Sequence, residues 1–157
     1  MATTQIMIAG FGGQGVLFAG KFLAYKGMVQ DKQISWLPSY GPEMRGGTAN
    51  CSVVLSDTPV GSPIITNPDM LIAMNLPSLQ KFVDAVVPGG TIIPATQLAK
   101  DAGFSTLANM ILTGKVLKVI DTVAYDGNKE TLESFIPAKK AGLIDVNLKA
   151  LQIGYDF

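Results

Sequence analysis

Apolar residues in this chain come in short runs broken at intervals by glycine, proline and charge, the pattern of strands and helices alternating around one sheet. Gln5 to Ala9 (QIMIA) is an apolar run that ends in the glycine cluster Gly10-Phe-Gly-Gly-Gln-Gly15. It reads as a buried parallel strand entering a tight turn. Val16, Leu17, Ala19, Phe22, Leu23 and Met28 then recur near helical spacing, which predicts a helix with Lys21 and Lys26 turned to solvent. Ile34 to Leu37 predicts a second strand, and Pro38 to Gly47 (PSYGPEMRGG) a loop dense in turn formers. Asn50 to Ser56 is β-rich and closes at Asp57-Thr-Pro59, predicting a hairpin that returns through Ile64 and Ile65.

Further along, Asp69 to Met74 predicts a strand, and Leu79 to Val87 a helix stopped by Pro88-Gly-Gly90. Thr91 to Ile93 opens the next strand. Helices are expected over Ala95 to Ala102, Ser105 to Lys118 and Pro137 to Ile153, the last with proline near its start and Gly154 after its end. The alternation predicts one α/β domain over residues 1–157, a Rossmann-like three-layer sandwich with a mostly parallel sheet and a C-terminal helix. One place resists this scheme. Thr91-Ile-Ile93 runs straight into Pro94-Ala-Thr-Gln-Leu-Ala99, with no room for the crossover of roughly a dozen residues that a further parallel strand needs. Either a connection between Ile93 and Pro94 is missing or the sheet ends early.

Composition narrows the chemistry. Of 157 residues 48% are hydrophobic and only 15% charged, against a charged share near ~25% in ordinary soluble domains, so a large buried surface that includes a subunit interface is expected. Twelve basic residues balance twelve acidic ones without a Lys/Arg cluster, which argues against nucleic acid and against a membrane surface as partner. There is no histidine, hence no Ser-His-Asp triad, no HExxH zinc helix and no imidazole base. The single cysteine, Cys51, makes no internal disulfide, CxxC pair or iron-sulfur cluster, and is expected to be a small buried strand residue. Trp36 and the seven methionines are expected in core or interface. With no secretory leader and no apolar run near ~18 residues, a cytoplasmic location is expected.

Gly10, Gly12 and Gly15 match G-x-G-x-x-G between a predicted strand and a predicted helix, the context in which backbone N–H groups approach a phosphate at a helix N-terminus. Packing alone would also account for the glycines. A dinucleotide needs in addition an acidic residue at the end of the second strand. Asp31 lies at a suitable distance in sequence but precedes that strand. In the following loop Glu43 and Arg45, beside Tyr40, Gly46 and Gly47, are either solvated charges or contacts to a partner or ligand. Asn109 and Asn147 fall inside predicted helices, where helix packing is the expectation.

Gly10-Phe-Gly-Gly-Gln-Gly-Val16, Pro38 to Gly47, the Ser56, Ser62-Pro63, Asp69 spacing, Pro94 to Ala99, Ala108-Asn-Met110, and Asn147, Ala150 and Gly154 together resemble the gamma subunit of 2-oxoacid:ferredoxin oxidoreductases, the family acting on pyruvate, 2-oxoglutarate and 2-oxoisovalerate. The resemblance covers nearly the whole chain. It implies a subunit that is inactive alone and has no catalytic or metal-binding residues of its own. It further implies alpha and beta subunits that bind thiamine diphosphate, iron-sulfur clusters and a ferredoxin-like subunit among the partners, and ferredoxin as electron acceptor. Coenzyme A would be a substrate, its phosphates held at Gly10, Gly12, Gly13, Gln14 and Gly15. Tyr40, Glu43, Arg45, Gly46 and Gly47 would serve interface or ligand. The reaction implied is oxidative decarboxylation of a 2-oxoacid, with 2-oxoglutarate or a branched-chain acid favoured, to acyl-CoA. The family also has a further strand between segments like Gly89 to Ile93 and Pro94 to Ala99, where this chain has none. A stand-alone NAD(P)-binding oxidoreductase on the same fold is the alternative.

Overall fold

A computed structural model describes residues 2–40, 48–95 and 107–157. Five strands, β1 (Thr3–Phe11), β2 (Gln33–Tyr40), β3 (Thr48–Ser56), β4 (Met70–Ala73) and β5 (Thr91–Pro94), form one sheet in the order β2-β3-β1-β4-β5. β1 and β4 pair in parallel, as do β4 and β5, whereas β3 runs antiparallel to both β1 and β2. Among the described residues the α-helices are α1 (Val16–Val29), α2 (Leu76–Phe82), α3 (Ala108–Val119), α4 (Asn128–Glu133) and α5 (Gly142–Asp156). α4 lacks a periodic apolar stripe long enough to predict it.

Side-chain alternation along β1 divides the interior. Ile6 and Ile8 face the larger core with Phe22 and Leu23 of α1, Met110 and Ile111 of α3, and Leu151 of α5. Met7 and Ala9 face the other side, where Leu79 and Phe82 of α2 pack over them and over Leu71 and Ala73. Helices therefore cover both faces, giving the expected three-layer α/β arrangement.

Several elements differ from the sequence reading. The hairpin expected through Asp57 to Pro59 does not form: β3 pairs with β2 and β1 rather than with Ile64 and Ile65, with Trp36 opposite Val53 and Tyr40 opposite Ala49. β3 thereby inserts between β2 and β1, so two of the four strand pairings are antiparallel. Ile64 and Ile65 belong to no strand, Ile64 standing 67% exposed and Ile65 buried. Pro38 to Tyr40 belong to β2 rather than to a loop.

α2 starts at Leu76, earlier than predicted, because Asn75 caps it: its Oδ1 accepts from the Ser78 N–H at 2.8 Å. Ala138–Lys140 form a separate turn before α5. Gly154 lies inside α5 instead of ending it. α3 and α5 cross so closely that a Cβ on Gly114 would strike the Leu151 carbonyl and one on Gly154 the Ile111 carbonyl, which is the physical need for glycine at both positions.

Ile93 and Pro94 are consecutive residues of β5, in unbroken register with Ile72 and Ala73. Among the described residues the sheet ends there. The predicted helix over Ala95 to Ala102 lies, apart from Ala95, outside the described residues.

Candidate functional site

The glycine turn leaves the carboxyl end of β1 and opens α1. Gly13 (φ 89°) and Gly15 (φ 74°) adopt left-handed conformations that side-chain-bearing residues enter only at a cost. Gly15 also lies beneath Asn109, whose Nδ2 donates to the Gly15 carbonyl at 3.2 Å. A Cβ at Gly15 would collide with that side chain. Gly10 is buried, and a Cβ there would come within 2.8 Å of Gln14 Oε1 and of Met74 Cβ. Gly12 and Gly13 are exposed, and around Gly13 a Cβ would meet nothing within 4 Å.

Gln14 holds the turn from inside. Its Oε1 accepts from the Phe11 N–H at 2.7 Å and from Asn75 Nδ2 at 2.9 Å, while its Nε2 donates to the Met74 carbonyl at 3.2 Å. The turn therefore combines two tasks. Gly10, Gln14 and Gly15 fasten it to β4 and α3, and Gly12 and Gly13 turn bare backbone outward.

α1 begins at this turn with Gly15 as N-cap, with no capping side chain and no acidic residue in its first turn. Its first N–H groups and the positive end of its dipole are thus uncompensated among the described residues, which is the requirement for holding an anion. The sheet topology agrees. α1 leaves β1 toward one face and α2 leaves β4 toward the other, so the strand ends of β1 and β4 flank the crevice where open α/β sheets take ligands.

Glu43, Arg45, Gly46 and Gly47 lie outside the described residues, and the side chain of Tyr40 does as well. The residues that flank them are placed: Tyr40 and Thr48 stand at the same end of the sheet as the glycine turn, with Thr48 paired to Phe11. Asp31 is at the other end. It follows the C-cap of α1, about 21 Å of helix away from the turn, so it cannot hold a ribose of a nucleotide bound at Gly12 and Gly13. The NAD(P) alternative loses the acidic residue it would use.

Lys26 corrects a second expectation. Instead of facing solvent it is fully buried, its Nζ donating to the carbonyls of Tyr125 at 3.1 Å and Asp126 at 2.7 Å. Burial lowers its pKa to about 8, partly opposed by Asp126 and Glu130. Cys51 is buried among apolar neighbours, its thiol pushed up to about 12 by burial, so it is no nucleophile at neutral pH. Asn147 bonds the Leu143 carbonyl of its own helix. Asn75 escaped the sequence reading altogether; the polar residue just ahead of Leu76-Pro77 was a helix-start signal that could have found it.

Among the described residues no three His, Cys, Asp or Glu side chains gather in a metal-binding group, and no helix is long and apolar enough to cross a membrane.

The model of the pyruvate ferredoxin/flavodoxin oxidoreductase family matches residues 5–94, ending at the last residue of β5. Ketoisovalerate oxidoreductase subunit VorA of Methanothermobacter thermautotrophicus is 37% identical over 171 residues, covering 98% of this chain and 36% of the relative. The chain thus spans about a third of that relative's length. 2-Oxoglutarate synthase subunit KorC of Methanothermobacter marburgensis is 31% identical over 177 residues, covering 96% of this chain and 94% of the relative. Both alignments are longer than the chain itself, so these relatives carry residues without a counterpart here.

Two solved structures share the fold. The gamma subunit of a keto/oxoacid ferredoxin oxidoreductase from Geobacter sulfurreducens has a TM-score of 0.81 at 24% identity, covering 99% of this chain and 96% of that one. A 2-oxoglutarate:ferredoxin oxidoreductase from Magnetococcus marinus, solved with 2-oxoglutarate, coenzyme A and succinyl-CoA, has a TM-score of 0.86 at 20% identity, covering 99% of this chain and 31% of that one.

Proposed function

The chain belongs to the pyruvate ferredoxin/flavodoxin oxidoreductase family, and from that membership we propose that it is the gamma subunit of an enzyme that oxidatively decarboxylates a 2-oxoacid to acyl-CoA with reduction of ferredoxin. The observation that carries the reading of the site is the N-terminus of α1, uncompensated among the described residues, behind the exposed backbone of Gly12 and Gly13. Coenzyme A brings phosphates, and this turn offers N–H donors and a favourable dipole to them. Gly10, Gln14 and Gly15 keep those donors aimed outward. Thiamine diphosphate and the iron-sulfur clusters belong to alpha, beta and ferredoxin-like partners. When bound there, they supply the carbanion and electron-transfer chemistry.

The partner proposal has a separate support. In VorA, a domain like this one makes up about a third of a longer polypeptide, whereas KorC is little longer than the domain. A unit found both fused and separate is one whose neighbour is close in the assembled enzyme. The identities to VorA and KorC favour a branched-chain 2-oxoacid or 2-oxoglutarate as substrate. Arg45, with Glu43, Tyr40, Gly46 and Gly47, is proposed to contact a partner or coenzyme A from the β2–β3 connection.

Gly12→Ala in the assembled enzyme tests the site. Gly12 has no positive φ, so the methyl group adds bulk without backbone strain. It is expected to raise the KM for coenzyme A more than that for the 2-oxoacid. An unchanged KM for coenzyme A in a folded, assembled variant would return the glycine turn to a packing role. Copurification of the tagged chain with thiamine- and cluster-bearing subunits tests the assembly; recovery of the chain alone, with saturable NADH binding, would favour the NAD(P) alternative.

A further inference from the structure

We infer that Asn75 is a positioning residue for coenzyme A, acting through Gln14 on the glycine turn; the inference rests on the reading of the turn proposed above. Asn75 lies two residues beyond the end of β4 and caps α2, while Gln14 lies in the turn that follows β1. Their amides therefore meet across the crevice between the two strand ends, and the 2.9 Å bond from Asn75 Nδ2 to Gln14 Oε1 is a side-chain tie spanning it.

The orientation of both amides is forced by backbone partners. Phe11 N–H can only donate, so the Gln14 atom 2.7 Å from it is the oxygen, and the Met74 carbonyl can only accept, so the atom facing it is the nitrogen. Ser78 N–H likewise fixes the Asn75 oxygen, leaving the Asn75 nitrogen to face Gln14. Every polar atom in this chain of contacts has one permitted role. Asparagine meets both demands at position 75, an acceptor toward α2 and a donor toward Gln14. Aspartate meets only the first.

That difference separates positioning from capping. Asn75→Asp keeps a good N-cap, since Asp and Asn cap about equally well, but sets a carboxylate oxygen against Gln14 Oε1. Gln14 must then reverse its amide to donate to the carboxylate, which withdraws the acceptor from the Phe11 N–H and points an oxygen at the Met74 carbonyl. The conformation of the turn from Phe11 to Gly15 is released while α2 stays capped. Asn75→Ser is the second variant: its hydroxyl still caps the helix but is too short to reach Gln14.

The experiment compares Asn75→Asp, Asn75→Ser and Gly12→Ala in the assembled enzyme, reading the KM values for coenzyme A and for the 2-oxoacid, equilibrium binding of coenzyme A without 2-oxoacid, and the melting temperature. Positioning predicts that both Asn75 variants raise the KM and the dissociation constant for coenzyme A by about five- to tenfold, the scale of one lost hydrogen bond. The KM for the 2-oxoacid should stay within about twofold on the same scale. If Gly12→Ala weakens coenzyme A but both folded Asn75 variants leave it unchanged, the inference is overturned and the reading of the turn stands. If none of the three variants affects coenzyme A, the reading of the turn falls and the inference with it.

Discussion

The two ends of α1 are fastened to their surroundings by the same device, a polar side chain reaching the backbone of a distant segment, yet they end in opposite electrostatic states. At the C-terminal end, Lys26 donates to the carbonyls of Tyr125 and Asp126, and Gln30 bonds both the Ala124 N–H and the Ala124 carbonyl. The negative end of the helix dipole has a cation in its last turn. At the N-terminal end the ties are neutral amides, Gln14 and Asn109, and they bind the Phe11 N–H and the carbonyls of Gly15 and Met74 rather than the first N–H groups of the helix. Among the described residues no side-chain cap and no acidic residue of the first turn offsets the positive end. One end is closed by the protein's own groups and the other, among the described residues, keeps its N–H groups unpaired, so the chemistry of a helix terminus is read from what its fastening leaves unsatisfied, not from how firmly it is held.

Substituting Gly15 tests this contrast most severely. Gly15→Ala combines a left-handed φ with a collision against Asn109, and it should destabilise the chain by about 2–4 kcal/mol. Denaturant unfolding checks it; a loss below ~1 kcal/mol would mean that the turn yields freely and that its geometry is not held.

Lys26 tests the closed end. Its folded pKa of about 8 lies below the ordinary lysine value of 10.5, so between those values the unfolded chain binds more protons than the folded one and stability rises with pH. Below about pH 8 both states are protonated and the cost of burying the charge is present in full. Relative to Lys26→Met, the protein should therefore gain on the order of 1–2 kcal/mol from pH 7 to pH 10. Parallel stability curves for the two proteins over that interval would show that the lysine carries no buried charge.

Gly13 gives the smallest effect. A Cβ there has open space and meets only the positive φ, so Gly13→Ala should cost about 1 kcal/mol by thermal melting. A cost equal to that at Gly15 would erase the distinction between glycines that fasten the turn and glycines that expose it.

Much of this was legible locally. The run QIMIA, the glycine turn and the helix after it follow from periodicity and turn chemistry. The absence of histidine and of a second cysteine limits what the side chains can do, whatever the fold. The exposed positions of the candidate site, Gly12 and Gly13, were visible as a motif. The groups that hold that motif in shape were not: Asn75 lies 61 residues from Gln14, and Asn109 lies 94 residues from Gly15, and no spacing rule reaches so far.

The same boundary separates what the sequence alone determined from what the tertiary structure decided. Element type follows mainly from interactions a few residues apart, so β1, the glycine turn, α1 and β4 were already settled in the order of the residues, whereas α4 and the far end of β2 were not. The insertion of β3 between β2 and β1 depends on which strand pairs with which, a contest among distant partners. The burial of Lys26 and the place of Gly154 were decided in the same way: a lysine on an amphipathic helix reads as solvent-facing until the 124–126 backbone closes over it, and a glycine near a helix end reads as a stop until a second helix crosses at that point. In each case the deciding atom is a backbone carbonyl far away in sequence, and backbone carbonyls leave no mark on the sequence pattern.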